Sequence, residues 1–248
     1  DDDCDTLVDE GSSKPTADRS VFDPDARQGD EAGWSIAAVG DVDGDGVGDL
    51  VVGSYLDDDQ ATNAGSALLY SGADRTLICR LLDPDGSSSN YFGRAVAGVG
   101  DVTGDGVADV AVGAYLDDDQ AGNAGSVHLF SGADCSWVRR MTDPDGESSD
   151  YLGFSVAGAG DLDGDGTPDI AAGAYLDDQA GANDAGAVVV FSGADGSLIG
   201  KWAGPAPESG DRLGYSVAGV GDVDGDGVPD LAAGAYLDDN ASGGNAGA

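Results

Sequence analysis

Tyr91-Phe-Gly-Arg-Ala-Val-Ala-Gly-Val-Gly100, Asp101-Val-Thr-Gly-Asp-Gly-Val-Ala-Asp109 and Val110-Ala-Val-Gly-Ala-Tyr115 follow one another without a break, and their reading decides the fold. Two short apolar runs flank nine residues dominated by Asp and Gly. The same arrangement recurs around Asp41–Asp49, Asp161–Asp169 and Asp222–Asp230, with starts 60, 60 and 61 residues apart. A period of that length means that one architectural unit is copied along the chain.

Further along repeat 2 come Ser126-Val-His-Leu-Phe130 and Trp137-Val-Arg-Arg-Met141. Each apolar piece is short, β-branched or aromatic, and bounded by Gly, Asp or Pro, with no helical periodicity. The pattern predicts four strands per repeat. Four-stranded antiparallel sheets at this period are what the blades of an all-β, β-propeller fold require, because radial repetition protects the sheet edges. A β-solenoid is the alternative, but its coils are usually shorter. The second strand is built of small residues (Leu50-Val-Val-Gly-Ser, Val110-Ala-Val-Gly-Ala, Ile170-Ala-Ala-Gly-Ala, Leu231-Ala-Ala-Gly-Ala), which suits crowding near a central axis.

Composition narrows the function. The chain carries 44 Asp against 4 Glu and a formal net charge of −38. A merely solvating acidic surface could use either carboxylate, whereas tight metal loops and turns favour the shorter Asp. Such charge strains a compact state unless cations offset it, and it argues against nucleic acid and anionic membranes as partners. The 248 residues contain no apolar run long enough to span a bilayer and begin without Met. A soluble chain is expected, processed or part of something longer. Cys4, Cys79 and Cys135 have no zinc or redox spacing. Cys79 and Cys135 pair only if their blades bring them together; the alternative is isolated small residues in strands.

The chain resembles the FG-GAP repeats of the integrin α-subunit β-propeller and of many secreted bacterial proteins, from roughly Arg19 to the end. The first element is Phe92-Gly93, with Leu152-Gly153, Leu213-Gly214 and Ala32-Gly33 as variants. The second is Gly113-Ala114-Tyr115, Gly173-Ala174-Tyr175, Gly234-Ala235-Tyr236 and Gly53-Ser54-Tyr55, with Tyr where the family has Pro. Repeat boundaries are set at 33–90, 91–150, 151–211 and 212–248, the last blade incomplete, within a propeller region 19–248. Residues 1–18 form an acidic, Cys-containing segment and linker whose first eleven residues resemble Asp/Cys-rich metal-binding repeats. Arg19-Ser-Val-Phe22 mirrors a fourth strand, and a third strand is expected to begin near Asn245-Ala-Gly-Ala248. Another chain could supply the missing strand.

In each nine-residue loop, positions 1, 3, 5 and 9 offer side-chain oxygens, position 7 offers a carbonyl, and Gly at position 6 permits the sharp turn. Hard oxygens in that number suit Ca²⁺. The expected ligands are Asp41, Asp43, Asp45, Val47 and Asp49; Asp101, Thr103, Asp105, Val107 and Asp109; Asp161, Asp163, Asp165, Thr167 and Asp169; and Asp222, Asp224, Asp226, Val228 and Asp230. These make about four Ca²⁺ sites, with affinities on the order of 10⁻⁴ to 10⁻³ M if they behave as extracellular modules do. Thr103 removes a charge, so the second should bind most weakly. The loop is not an EF-hand, since Val52, Val112, Ala172 and Ala233 stand where its Glu would be. The family resemblance implies the same, a calcium loop in a β-hairpin.

A second acidic cluster (Asp57–Asp59, Asp117–Asp119, Asp177–Asp178, Asp238–Asp239) either holds another cation or caps its loop, and the Asp-Pro-Asp segments at Asp23, Asp83 and Asp143 read as turns. His128 stands where sister repeats carry Leu68 and Val189, so it reads as a strand residue, and no nucleophile–base pair, phosphate loop or zinc motif appears. The expectation is a non-catalytic, extracellular, calcium-binding structural or adhesive module, able to self-assemble into a filament or surface layer by strand complementation. The alternative is a propeller segment of a larger secreted or cell-surface protein, binding a protein or glycan. Partners are other copies of the chain or such a ligand. One sequon, Asn240-Ala-Ser242, fits a secreted context.

Overall fold

The computed structural model describes residues 21, 23–179, 181–238 and 247. The segment 1–18, the expected strand at 19–22 apart from Val21, the sequon, and residues 245–248 apart from Gly247 lie outside them.

All the regular structure among the described residues is β. The first sheet holds β1 (Ser35–Gly40), β2 (Asp49–Ser54), β3 (Ser66–Tyr70) and β4 (Leu77–Leu81); the second β5 (Phe92–Gly100), β6 (Asp109–Ala114), β7 (Ser126–Phe130) and β8 (Trp137–Met141). The third holds β9 (Leu152–Gly160), β10 (Asp169–Ala174), β11 (Ala187–Phe191) and β12 (Leu198–Trp202), and β13 (Leu213–Gly221) pairs with β14 (Asp230–Ala235) in the fourth. Neighbours in each sheet are consecutive in the chain and antiparallel. These are the four-stranded meanders of β-propeller blades, with two strands described in the fourth. No helix among the described residues is long and apolar enough to cross a membrane.

The core lies between blades, because side chains alternate faces along a strand. On β6, Val110, Val112 and Ala114 pack with Val51, Leu69 and Leu81 of the first blade, while Ala111 packs with Ile170, Val189 and Phe191 of the third. The second strand is therefore buried on both faces, and it reads as a continuous apolar run for that reason. In the fourth sheet β14 has one covered face, and positions buried in β10 become exposed.

The small residues of the second strand answer a different neighbour from the central axis the sequence suggested. First strands β1, β5, β9 and β13 lie side by side between blades. What crowds the second strand is the start of the next blade. A Cβ on Gly53 would lie 2.0 Å from the carbonyl oxygen of Gly93, one on Gly113 2.0 Å from that of Gly153, and one on Gly173 1.8 Å from that of Gly214. The partner glycines are equally hemmed in, since a Cβ on Gly93 would meet the Ser66 carbonyl oxygen at 2.1 Å. Each Phe-Gly-type element thus rests its backbone on the Gly-Ala element of the preceding blade, and parallel bridges from Gly65 to Phe92, Gly125 to Leu152 and Gly186 to Leu213 extend the seam.

Cys79 on β4 and Cys135 in the turn between β7 and β8 form a disulfide across the first seam, with Cα atoms 6.6 Å apart. The blades do bring them together.

Candidate metal loops and their surroundings

A bulge precedes each acidic loop. In the first blade the register slips between Ala38 and Gly40, and in the second between Gly98 and Gly100. The extra residue, Val39 or Val99, turns into the core between blades, and the loop departs from the glycine that follows. It returns at the ninth position, where Asp49 pairs with Gly40 and Asp109 with Gly100.

The carboxylates organise the loop backbone. At position 1, the Asp41 Oδ1 accepts the Gly44 N–H at 2.8 Å and its Oδ2 the Gly46 N–H at 2.8 Å. Asp101, Asp161 and Asp222 receive the same pair of glycine amides. At position 5, Asp45, Asp105, Asp165 and Asp226 each accept the N–H of position 7. At position 9, the Asp49 Oδ2 accepts the Val42 N–H at 2.7 Å and its Oδ1 the Gly72 N–H at 2.8 Å, clasping the loop to the β3–β4 turn. Asp109 and Asp169 repeat that clasp with Gly132 and Gly193. These two carboxyls are buried, and burial raises both pKa values against the lowering effect of the backbone donors.

The carboxylates also converge. Ligand-capable oxygens of Asp41, Asp43 and Asp45 lie within 4.8 Å of one another, as do those of Asp161, Asp163 and Asp169, and of Asp222, Asp224 and Asp230. Three carboxylates so close repel strongly without a positive charge between them. An all-oxygen set of this kind fits a hard divalent cation. In the second loop, the Thr103 hydroxyl turns toward Asp109 at 3.5 Å, and no carboxylate trio forms there among the described residues.

Three of the four second acidic clusters already have cations. Arg80 on β4 bonds Asp57 at 2.6 Å, Asp59 at 3.0 Å and Asp23 at 2.6 Å. Arg140 on β8 pairs with Asp85, Asp117 and Asp119, and Lys201 on β12 with Asp143 and Asp177. One basic residue at the same place in each fourth strand thus joins the acidic cluster of its own blade to an Asp-Pro-Asp segment of the preceding connection. The Asp117–Asp119 trio is convergent too, but Arg140 occupies it. The three-fold recurrence of Arg80, Arg140 and Lys201 was a signal in the sequence, and composition alone hid it.

His128 is fully buried. Its Nδ1 accepts the Trp137 Nε1–H at 3.3 Å, and its Nε2 lies 3.0 Å from the Ser126 hydroxyl, which donates to Asp117 at 2.5 Å. Burial opposes ionisation of Asp117, but nearby His128, with Nε2 3.9 Å away, the bonds from Ser126 and the Asp119 N–H, and the charge of Arg140 hold its carboxyl at about 2. Ser, His and Asp meet here without the order of a catalytic relay, because the carboxylate bonds the serine and the far imidazole nitrogen is taken by an indole.

Asp150, in the turn before β9, is nearly buried and accepts the Glu147 N–H at 2.6 Å. Burial, reinforced by Asp177 and Asp143, pushes its carboxyl up to about 6 against the Glu147 bond and Lys201. A folded-state pKa above the unfolded one adds stability that is present below about pH 4 and lost as pH rises toward 6. The equivalent residue in the preceding repeat is Asn90, whose Nδ2 donates to Asp83 at 2.8 Å. Asp150→Asn should therefore raise the melting temperature at pH 7 and have little effect at pH 4. Thermal melts of both proteins at the two pH values check this.

Comparisons with known proteins agree with this geometry. The family described as FG-GAP repeat matches residues 32–70, 152–191 and 213–248, and a second FG-GAP repeat family matches 76–130. Integrin alpha-PS2 of Drosophila melanogaster is 33% identical over 178 residues, covering 64% of this chain and 12% of the relative. Integrin alpha pat-2 of Caenorhabditis briggsae is 32% identical over 231 residues, covering 83% of this chain and 18% of the relative. The chain thus spans under a fifth of the length of these integrins. Among solved structures, rhamnogalacturonan lyase YesW aligns with 79% of this chain and 40% of its own at a TM-score of 0.46 and 20% identity, which carries nothing about activity. On the repeated loops, the glycine seams and these matches over more than half its length, the chain belongs to the FG-GAP repeat family.

Proposed function

We propose that this chain is a non-catalytic, extracellular propeller segment that binds a ligand and is made rigid by calcium in its four β1–β2-type loops. The observation that carries the calcium reading is the convergence of carboxylates in the acidic loops of the first, third and fourth blades. In each loop the ligands are the side chains of positions 1, 3, 5 and 9 with the carbonyl of position 7, as assigned from the sequence. The ninth carboxylate also clasps the loop, so a bound ion ties the first two strands to the β3–β4 turn. The ligand-binding reading draws on the integrin α relatives. An extracellular setting is supported by the disulfide, which oxidising compartments preserve. The burial of His128 supports the absence of a catalytic role.

Metal analysis of protein dialysed against calcium should find about four ions per chain, with the second loop the first to empty on dilution. A site with a dissociation constant near 10⁻⁴ M stabilises the fold by about 1.4 kcal/mol at 1 mM free calcium, so chelation should cost roughly 5 kcal/mol over four sites. A melting temperature unchanged by chelation would sink the calcium reading.

A second reading, self-assembly by strand addition, is favoured by the fourth sheet, where β14 has no second neighbouring strand among the described residues. Fibres in electron micrographs that fray on chelation would support it; monodisperse particles would reject it.

A further inference from the structure

We propose that Arg94 anchors the carboxylate of an acidic sugar in a groove at the end of the first strands remote from the calcium loops. This deepens the ligand-binding reading above and rests on it.

In a chain of net charge −38, a guanidinium without a carboxylate partner needs an explanation. Arg80, Arg140, Lys201 and Arg27 each pair with aspartates, Arg139 donates to the Gly193 carbonyl, and Arg212 donates to the Tyr236 hydroxyl. Arg94 makes no ion pair and no side-chain hydrogen bond among the described residues, and it is held instead by rings. Its guanidinium carbon lies 5.0 Å from the Trp34 ring centroid and 4.2 Å from that of Phe154. Aromatic faces recognise a cation through their quadrupole. They leave the N–H groups around the edge of the plane unused, and that edge is the fork that matches a carboxylate through two parallel bonds. Arg94 is only partly buried, which leaves that edge open to a solute.

The surroundings fit a ligand. Arg94 lines an open groove of about 280 Å³ with Ser35, Phe154, Ser155, Tyr215 and Ser216, from the starts of all four first strands. A continuous row of rings runs beside it, from Trp34 through Tyr55, Tyr91, Tyr115, Tyr151 and Tyr175 to Tyr215 and Tyr236, with neighbouring centroids 4.4 to 5.8 Å apart. The nearby Glu31 carboxylate accepts from the Tyr55 hydroxyl at 3.3 Å. The calcium loop of the same blade begins after Gly100, roughly 20 Å along the strand, well beyond the screening length of about 8 Å at physiological salt.

Charge density selects the ligand class. One unpaired cation within a strongly anionic molecule can hold one carboxylate at a time. Nucleic acids and acidic peptides bring dense negative charge and are repelled. A sugar acid brings one carboxylate on a ring with apolar C–H faces and neutral hydroxyls, which suits tyrosine and tryptophan surfaces that are apolar with a polar edge.

Titration calorimetry and tryptophan fluorescence would compare a glucuronate-containing tetrasaccharide, its carboxyl-reduced counterpart and a tetraglutamate peptide on the calcium-loaded chain. Binding of the acidic sugar that perturbs Trp34 fluorescence is expected, with about a tenfold loss on carboxyl reduction or in Arg94→Gln and a smaller loss in Arg94→Lys, which keeps the charge but not the fork. Absence of acidic-sugar binding, equal binding by the peptide, or unchanged affinity in Arg94→Gln would each overturn the proposal. The melting temperature of each variant in calcium confirms folding and, through its response to chelation, tests the calcium reading separately.

Discussion

Replacing Gly113 with alanine is expected to unseat the second blade from the third and lower the melting temperature by roughly 6 to 12 °C, the equivalent of about 3 kcal/mol in a chain of this size. The added carbon would lie 2.0 Å from the Gly153 carbonyl oxygen and 2.9 Å from its carbon, and both are backbone atoms that no rotamer change can move. Relief would require the blades to part, which would open the core shared by Ala111, Leu129, Ile170 and Phe191. Gly113 has no left-handed backbone, so the effect is one of contact. Two controls separate it from general intolerance of glycine replacement. Gly48→Ala meets nothing nearer than 4.0 Å, and Ala108 already occupies the sister position, so a change within about 0.5 kcal/mol is expected. Gly164→Ala has open space but a φ of +80°, and strain of about 1 kcal/mol is expected. Denaturant melts of the three variants would give the ranking, and a Gly113→Ala protein as stable as the parent would refute the seam.

The seam shows how far the sequence could be read. The second, third and fourth strands of repeat 2 were legible to within a residue, because the apolar runs are short and their Gly and Asp boundaries recur four times. The clustering of acids in the loops was legible for the same reason. The destination of the small second-strand residues was not. A strand buried on both faces gives a continuous apolar run but does not name its neighbours, and Gly113 faces Gly153, forty residues later in another repeat. The second acidic clusters stayed ambiguous because Arg80 reaches Asp57 and Asp23 from a different strand. The row of rings was hidden too. Tyr115, Tyr151 and Tyr175 come from the ends of second strands and the starts of first strands, and only the stacking of blades brings them together.

Loss of the Cys79–Cys135 disulfide should have a still larger effect. It closes a span of 56 residues, and the chain-entropy estimate for such a loop is about 4 kcal/mol. Cys79→Ser with Cys135→Ser should therefore melt roughly 8 to 16 °C below the parent, with the first blade loosening from the second before the rest unfolds. Reducing agent should act on the parent alone, and an equal effect on the double variant would point to another cause. The next seam tests the geometry independently. Arg139 and Gly196 hold the corresponding positions between the second and third blades, where the Arg139 guanidinium donates to the Gly193 carbonyl at 3.1 Å and a Cβ on Gly196 would lie 3.0 Å from the Arg139 Cδ. Gly196 has φ +79° and Cys135 has φ +62°, so cysteine already tolerates this backbone one blade earlier. Arg139→Cys with Gly196→Cys should form a second disulfide and raise the melting temperature only under oxidising conditions. The gain should be smaller than the native bond provides, because the variant gives up the Arg139–Gly193 bond. If the introduced cysteines stay reduced in oxidant while the protein remains folded, the two seams are not equivalent, and the repeat-by-repeat transfer of geometry fails at that junction.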